Sequence, residues 1–280
     1  MAPANTARRL IRSFQEARHK KSLLQKIREY RGHIPLHHES DDFILKTATS
    51  GPELIKVLEL RHQVFIEEWQ GRRTANGLDV DRYDFIADHL MIVDKRRGEV
   101  IGTYRLLSSH FTQDFYSQSE FDLADYLKTP GVKLELGRAC IHPQHRTGNS
   151  LDLLWKGLTQ YIQFTGTHQM FGCTSIKSTD PGVISSLYHT LHEAEHWSDD
   201  HHIRPLADYR FPGFPSPAVA MSPEDKRQHM PALLRSYLHA GAKIYGWPAL
   251  DRDFACTDLL TILDWGRLHP RFKTRYTVRG

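Results

Sequence analysis

Glu135-Leu-Gly-Arg138, followed shortly by Arg146, Gly148, Asn149 and Ser150, is the stretch of this sequence best supplied for chemistry. Glu135 lies in a short apolar run, Leu134, Leu136 and Ile141, that reads as a strand. A glutamate on a buried strand has its pKa raised, which suits it to take a proton at neutral pH. Glu135 and Arg138 have opposite parity and would face opposite sides of a regular strand. Gly137 between them marks a bulge that can bring both toward one site. His142-Pro143 then turns the chain into a basic loop, and the apolar period from Leu151 to Phe164 predicts a helix. Backbone N–H groups at that helix start, with Arg146 beside them, can hold a phosphate. An acid on a strand, a phosphate-ready loop and a helix form an arrangement for acting on a phosphate-tagged substrate. On the residues alone, a buried strand with a surface ion pair before an ordinary helix is the competing reading.

The elements that must position these residues are legible around them. The chain has 280 residues, 40% of them hydrophobic and 25% charged, which is ordinary soluble composition and enough for a substantial core. Between Arg8 and Arg31 stand nine Lys/Arg against two Glu, so the net charge of +4 belongs to the N-terminus and the remainder is slightly acidic. Residues 6–31 read as a basic amphipathic helix through Leu10, Ile11, Phe14, Leu23, Leu24, Ile27 and Tyr30. They form either an arm for an anionic membrane surface or a solvated tail. A transit peptide is a further reading of that composition. The expected domains are the arm over 1–32, a linker over 33–42 and one catalytic domain over 43–280.

Phe43–Thr49 predicts a strand, and Pro52 starts a helix bearing Leu54, Val57, Leu58, Arg61, Val64, Phe65 and Trp69 on one face. A polar loop with Asp79, Asp81 and Asp84 precedes a strand pair, His89–Asp94 and Val100–Ser108. Further on come a strand over Met170–Ile176, a helix from Pro181, a proline-rich extended stretch over 203–217, a long helix over Pro223–Ala242 and short closing strands. Strands and helices alternate, so the fold class is α/β (α+β) with a mixed sheet. Cys140, Cys173 and Cys256 are too few and too scattered for a disulfide framework, which suits a reducing cytoplasm. No run reaches the ~18 apolar residues of a membrane span.

Four ordered blocks carry a family resemblance: Arg61-x-x-x-Phe65, Asp81-x-x-Asp84, Gly102-Thr-Tyr-Arg105 and Glu135-Leu-Gly-Arg138. Together they resemble the acyl-homoserine-lactone synthases of the GNAT superfamily. Asp84-x-x-x-Asp88-His89 is more similar still to the bacterial ornithine N-acyltransferases. So are Pro231-Ala-Leu-Leu-Arg-Ser-Tyr-Leu, Gly241-Ala-Lys and Leu250-Asp-Arg-Asp-Phe-Ala-Cys-Thr-Asp258.

The resemblance implies a GNAT-like acyl-CoA N-acyltransferase fold, with a mostly antiparallel twisted sheet flanked by helices. It also implies transfer of a long-chain fatty acyl group, with or without a 3-hydroxyl, to the α-amine of an amino acid, ornithine first. The donor loop of that superfamily reads Arg/Gln-x-x-Gly-x-Gly/Ala. Here the frame is His145-Arg-Thr-Gly148-Asn-Ser150, with only the middle glycine standard, which suits acyl carrier protein rather than acetyl-CoA as donor. No cofactor beyond the carrier's phosphopantetheine thioester and no nucleic acid are expected. The expected location is cytoplasmic, at the inner face of the bacterial membrane, where lyso-ornithine lipid would be made.

Within that resemblance Glu135 is the base, or else a structural partner of Arg105 or Arg138. Asp81 and Asp84 orient the cationic acceptor, or cap their loop. Arg61, Phe65, Arg105 and Arg138 fix the acceptor and the loop carboxylates. Arg146, Gly148, Asn149 and Ser150 take the donor phosphate. Cys140 is a second candidate nucleophile, or core. Other amino acids and a homoserine-lactone-type product are the nearest alternatives. A different class enters through His192-Glu193-Ala-Glu-His196, the H-E-x-x-H pattern of zinc proteases, with His202 as third ligand. Asp199 stands where that pattern needs a glycine.

Overall fold

The apolar stripe after Pro52 does become a helix, because a sheet is available to cover it. The structure is a computed structural model that describes residues 21–269 together with Phe272, Arg275 and Tyr276. It divides into two compact units. One runs to Thr103 and adds Cys140–Arg146; the other comprises Tyr104–Ala139 and the chain from Thr147 onward.

In the first unit residues 21–29 form helix α1. Strands β1 (His37–Glu39) and β2 (Phe43–Thr47), helix α2 (Gly51–Arg61), strand β3 (Asp88–Asp94) and the start of β4 (Glu99–Ser108) follow. β1, β2 and β3 pair antiparallel in that order, with Phe43 opposite Asp94 and Thr47 opposite Leu90. Pro52 opens α2, where its missing N–H costs nothing, and Glu53 lies in the first turn. Past Arg61 the chain continues as a π-helix over His62–Trp69, so the predicted helical face changes winding halfway. Leu54, Val57, Leu58, Leu60 and Val64 pack with Tyr30, Met91, Val100 and Cys140.

The segment expected as a linker is part of this body. β1 lies within it, Ile34 is buried, and the N–H groups of His33 and Ile34 donate to the Asp88 carboxylate at 2.5 and 3.3 Å. The arm is divided in the same way. Ile27 and Tyr30 are buried, and the Tyr30 hydroxyl donates to the Ala87 carbonyl at 3.1 Å. Those side chains find a core, so they cannot serve a membrane. Leu10, Ile11 and Phe14 lie outside the described residues.

The second unit introduces β5 (Phe121–Asp122), α3 (Ala124–Lys128), β6 (Val132–Ile141), α4 (Gly148–Thr165), β7 (Thr167–Ile176), α5 (Pro181–Glu193), β8 (Trp197–Ser198) and β9 (Arg204–Pro205). α6 (Pro223–His229), α7 (Ala232–Ala240), β10 (Lys243–Tyr245), β11 (Ala249–Asp251) and β12 (Cys256–Asp264) complete it. The part of β6 in this unit runs parallel to β7, with α4 as the crossover that a parallel pair requires. β12 then pairs antiparallel with β7, β10 antiparallel with β12, and β8 parallel with β10. The long helix expected over 223–242 is two helices. Pro231 forces Met230 to extended backbone, and the chain bends there.

The faces of this sheet differ in kind. Ile176 and Leu259 pack against Ile184, Leu187 and Leu191 of α5 and Leu234 and Leu238 of α7. Residues on the opposite parity form the other face. Glu135 stands opposite Phe171, and Ser175 opposite Asp258. Phe115 and Tyr126 meet the Phe171 ring edge-on at 5.2 Å, so the segment between them covers this second face.

β6 and β7 approach so closely that a Cβ on Gly172 would lie 2.2 Å from the Leu136 carbonyl oxygen. Backbone, not a movable side chain, fills the space. Gly172→Ala is therefore expected to destabilise the protein by about 3 kcal/mol, read as a lowered denaturation midpoint. A midpoint within error of wild type would show that the strands separate without cost.

Candidate active site

Parity puts Glu135, Cys173, Ser175, Asp258 and Cys256 on the second face. Phe171, Leu260 and Ile262 share that face, so the polar groups occupy a largely apolar surface. The covering segment supplies their partners. Glu135 is buried, and its two carboxylate oxygens accept the N–H groups of Tyr116 and Ser117 at 2.7 and 2.6 Å. Tyr116–Ser119 is one turn of 3-10 helix, so Glu135 binds the amides at its start, where the backbone is short of acceptors. Burial raises the Glu135 pKa, against the Ser117 hydroxyl and N–H, Arg105 and the Tyr116 N–H, which lower it.

Gly137 is the next residue of the same parity. A Cβ there would come within 3.6 Å of the Arg105 guanidinium, so the glycine leaves room for that group. The irregularity in β6 is one residue further on. Arg138 has φ 49°, a left-handed conformation that a side chain rarely adopts. Its guanidinium lies 5.4 Å from the Tyr116 ring centroid and 4.9 Å from that of Phe254, and Arg105 lies 5.4 Å from Tyr116. Glu135, Arg105 and Arg138 are thus gathered around Tyr116. Gly137, Arg138 and Ala139 are half-buried, as are Tyr116, Cys173 and Ser175.

Beside this trio is an acid cluster that no motif had marked as part of the site. Glu120 follows the 3-10 turn and is buried. Burial and the Asp258 charge push its carboxyl up to about 9, with Tyr116 pulling down. Burial pushes Asp258 up to about 6, against hydrogen bonds from Ser175 and Glu120 and the charge of Arg138. The Ser175 hydroxyl donates to Asp258 at 2.6 Å, and the Cys173 thiol reaches Ser117 Oγ at 3.4 Å and Glu120 Oε2 at 3.7 Å. Asp251 faces Cys256 across the β11–β12 pair. Asp251, Cys256 and Asp258 bring one atom each to within 4.8 Å of one another, the only convergence of this type found among the described residues. Asp251 and Asp258 lie in the C-terminal block quoted above. Glu120 sits in a stretch without any pattern, and only its fold neighbours reveal it.

Arg61, Phe65, Asp81, Asp84, Cys140 and Arg146 belong to the first unit. Arg61 is buried, and its guanidinium donates to Asp79 at 2.8 Å and to Asp84 at 2.5 and 3.3 Å. Burial works against its charge, and the two aspartates more than restore it. Asp84 also accepts the Asp81 N–H at 2.8 Å, while the Asp81 carboxylate accepts the Tyr83 N–H at 2.8 Å. Where an acceptor contact was expected, Arg61, Asp81 and Asp84 form an internal network that caps their own loop. Phe65 is half-buried against the core of this unit, which also contains Cys140.

Arg146 departs from expectation in the same sense. Its fork is closed on Glu68 through two bonds of 2.6 and 2.5 Å, since a carboxylate matches a guanidinium two atoms to two. In the other unit α4 starts after Thr147 with no side-chain cap; Gly148 and Asn149 are exposed and Ser150 is buried. His192 and His196 do not share a helix face. α5 stops at Glu193, Glu195 turns left-handed at φ 55°, and the His196 N–H donates to the Leu191 carbonyl at 2.8 Å. The H-E-x-x-H spacing needs an unbroken helix, and this one ends inside the motif.

The Acetyltransferase (GNAT) domain family matches residues 60–156. The chain is 32% identical over 252 residues to the L-ornithine N(alpha)-acyltransferase of Rhizobium meliloti (strain 1021), covering 82% of this chain and 83% of that one. It is 31% identical over 247 residues to the protein of the same name from Brucella abortus (strain 2308), covering 83% and 88%. Among solved structures, the AHL synthase LasI is similar at 12% identity and a TM-score of 0.48, covering 86% of this chain and all of that one.

The acid cluster has a signature in stability. Glu120 keeps its proton in the folded chain up to about 9, whereas its ordinary value is 4.5. Between those values the folded state binds more protons than the unfolded state, so stability falls as pH rises. Asp258, raised from 3.8 to about 6, adds to the acidic part of the same slope. Denaturation midpoints should therefore decline from about pH 5 to about pH 9, and Glu120→Gln should flatten the decline. An equal slope in the variant would remove Glu120 as its source.

Proposed function

The chain belongs to the L-ornithine N(alpha)-acyltransferase family of GNAT acyltransferases, and from that premise we propose that it acylates the α-amine of ornithine with a long-chain fatty acyl group from acyl carrier protein. The likeness to its named relatives over more than four fifths of both chains carries the reading. The product is a single-chain lyso-ornithine lipid, with or without a 3-hydroxyl on the acyl chain.

In the reaction the amine nitrogen attacks the thioester carbonyl. The C–N bond forms, the C–S bond breaks, and the phosphopantetheine thiolate leaves and takes a proton. An ammonium has no lone pair to attack with, so one proton must first go to a base. Glu135 is that base in this reading, supported by its raised pKa and its place beneath the half-buried break in β6. It acts through Ser117, whose hydroxyl bonds Glu135 and stands 3.4 Å from the half-buried Cys173 thiol. Arg105 and Arg138 set the field around the carboxylate, and backbone amides at the strand break meet the developing oxyanion. Arg61, Asp81 and Asp84 shape residues 79–89 of the first unit.

The donor phosphate goes to the start of α4, at Gly148, Asn149 and Ser150, where Thr147 supplies no side-chain cap. Arg146 contributes there only by leaving Glu68. Ile27 and Tyr30 are core, so an anionic-surface role of the basic N-terminus falls to the residues before them, the exposed Leu24 included. Among the described residues no helix is long and apolar enough to cross a membrane.

Glu135→Gln is expected to lower kcat for ornithine acylation by about 10²-fold or more. It also sets an amide NH2 against one of the two N–H donors, so its denaturation midpoint should fall; rates are compared at a temperature where both proteins are folded. Turnover near wild type under those conditions would remove Glu135 from the mechanism.

Acyl carrier protein thioester should exceed the matching acyl-CoA in kcat/KM. Its advantage should shrink with added salt, because the carrier is acidic and salt screens its attraction to basic side chains. Equal efficiency with acyl-CoA would overturn the choice of donor.

A further inference from the structure

Three carboxyl groups, Glu120, Asp251 and Asp258, share one buried region, and their countercharges are unequal to them. Asp251 Oδ1 is occupied by the N–H groups of Asp253 and Phe254 at 2.8 and 3.0 Å. Asp258 Oδ1 accepts the Ser175 hydroxyl, and the cation that acts on Asp258 is Arg138. Glu120 takes the Cys173 thiol at Oε2 and interacts with the Tyr116 hydroxyl. It also shares a hydrogen bond, and with it a proton, with Asp258. Glu120 Oε1 is buried and receives no N–H or hydroxyl donor among the described residues, so the pair is held by a shared proton where a cationic donor would serve it better.

We propose that Glu120 and Asp258 form the subsite for the side-chain ammonium of a diamino-acid acceptor, and that this pair sets the preference for ornithine over amino acids with neutral side chains. The inference rests on the acyl-transfer reading above and deepens it. Two acidic positions lie on one face, Glu135 for the reacting amine and Glu120 with Asp258 for the second. Ser117 and Cys173 stand between them, touching both sides. An acceptor with two amines matches two separated acidic positions, whereas an acceptor with one leaves the Glu120–Asp258 pair to its shared proton.

An ammonium also suits the geometry better than a metal. It donates three hydrogen bonds in loosely fixed directions. Asp251 and Asp258 are already partly committed, and the Cys256 sulfur lies 4.0 Å from Asp258 Oδ2. The carboxyls are buried, while Tyr116, Cys173, Ser175, Tyr209 and Phe254 beside them are half-buried. A site built to bind a polar group discriminates strongly against an analogue lacking it, because its own buried groups are then left unpaired.

The test compares ornithine with norvaline, which has the same chain without the terminal amine. In wild type the ratio of kcat/KM values is expected to favour ornithine, and in Glu120→Gln and Asp258→Asn to fall by about 10²-fold or more. A second readout needs no variant. Calorimetry of the wild type near pH 8, in buffers of different ionisation enthalpy, should show more protons released on binding ornithine than norvaline.

An unchanged ratio in folded variants, or no excess proton release, would overturn the proposal while leaving ornithine acylation standing. A preference for ornithine that is lost on chelation and restored by zinc would assign the cluster to a metal and overturn it too. Wild type that acylates neither compound would sink the acyl-transfer reading itself, and this proposal with it.

Discussion

One buried carboxylate ties the covering segment of the second unit to its sheet. Glu135 rises from β6 and accepts two consecutive backbone N–H groups, so it fixes both the position and the direction of the turn at Tyr116–Ser119. Everything that faces the polar side of the sheet from above follows from that attachment. Tyr116 is set between two guanidinium groups, Ser117 beside Cys173, and Glu120 against Asp258. A charged acceptor binds backbone donors more strongly than a neutral one. That strength offsets much of what burial costs the carboxylate.

The polar face carries an expense that a purely structural sheet would avoid. Burying an acid disfavours its ionised form, and here burial is the largest influence on Glu120, Glu135 and Asp258 alike. Packed apolar side chains in their place would be neutral or stabilising. The opposite face shows that the fold can do this, with Ile176 and Leu259 meeting aliphatic residues of α5 and α7. Asymmetry of this kind, one face paid in stability and the other in packing, is what acid–base work on an amine needs.

The first unit spends its charges differently. Arg61, Asp79, Asp81 and Asp84 bond one another and the backbone of their loop, and so hold its shape. Asp88 does the same for residues 33 and 34. In both units a carboxylate that accepts backbone N–H groups organises a segment of short turns between the longer elements.

The residues by themselves determined a good deal. Pro52 and its apolar stripe, the helix from Pro181, and the strand–helix–strand run through 132–176 are local facts, dictated by φ preferences and periodicity over a few residues. Parity alone assigned Glu135 to one face of β6, and the ordered blocks led to the family. What each side chain meets was decided by tertiary structure. Glu120 and Asp258 lie at opposite ends of the second unit's sequence, and no spacing links them until β7 and β12 pair. Arg138, not Gly137, takes the left-handed backbone, because the strand must turn where its guanidinium can lie over Tyr116 and Phe254. Arg146 reads as a free cation in the chain and closes on Glu68 in the fold. The H-E-x-x-H spacing depended on a helix that ends at Glu193. Short-range sterics set the elements; long-range contacts choose the partners, and function resides in the partners.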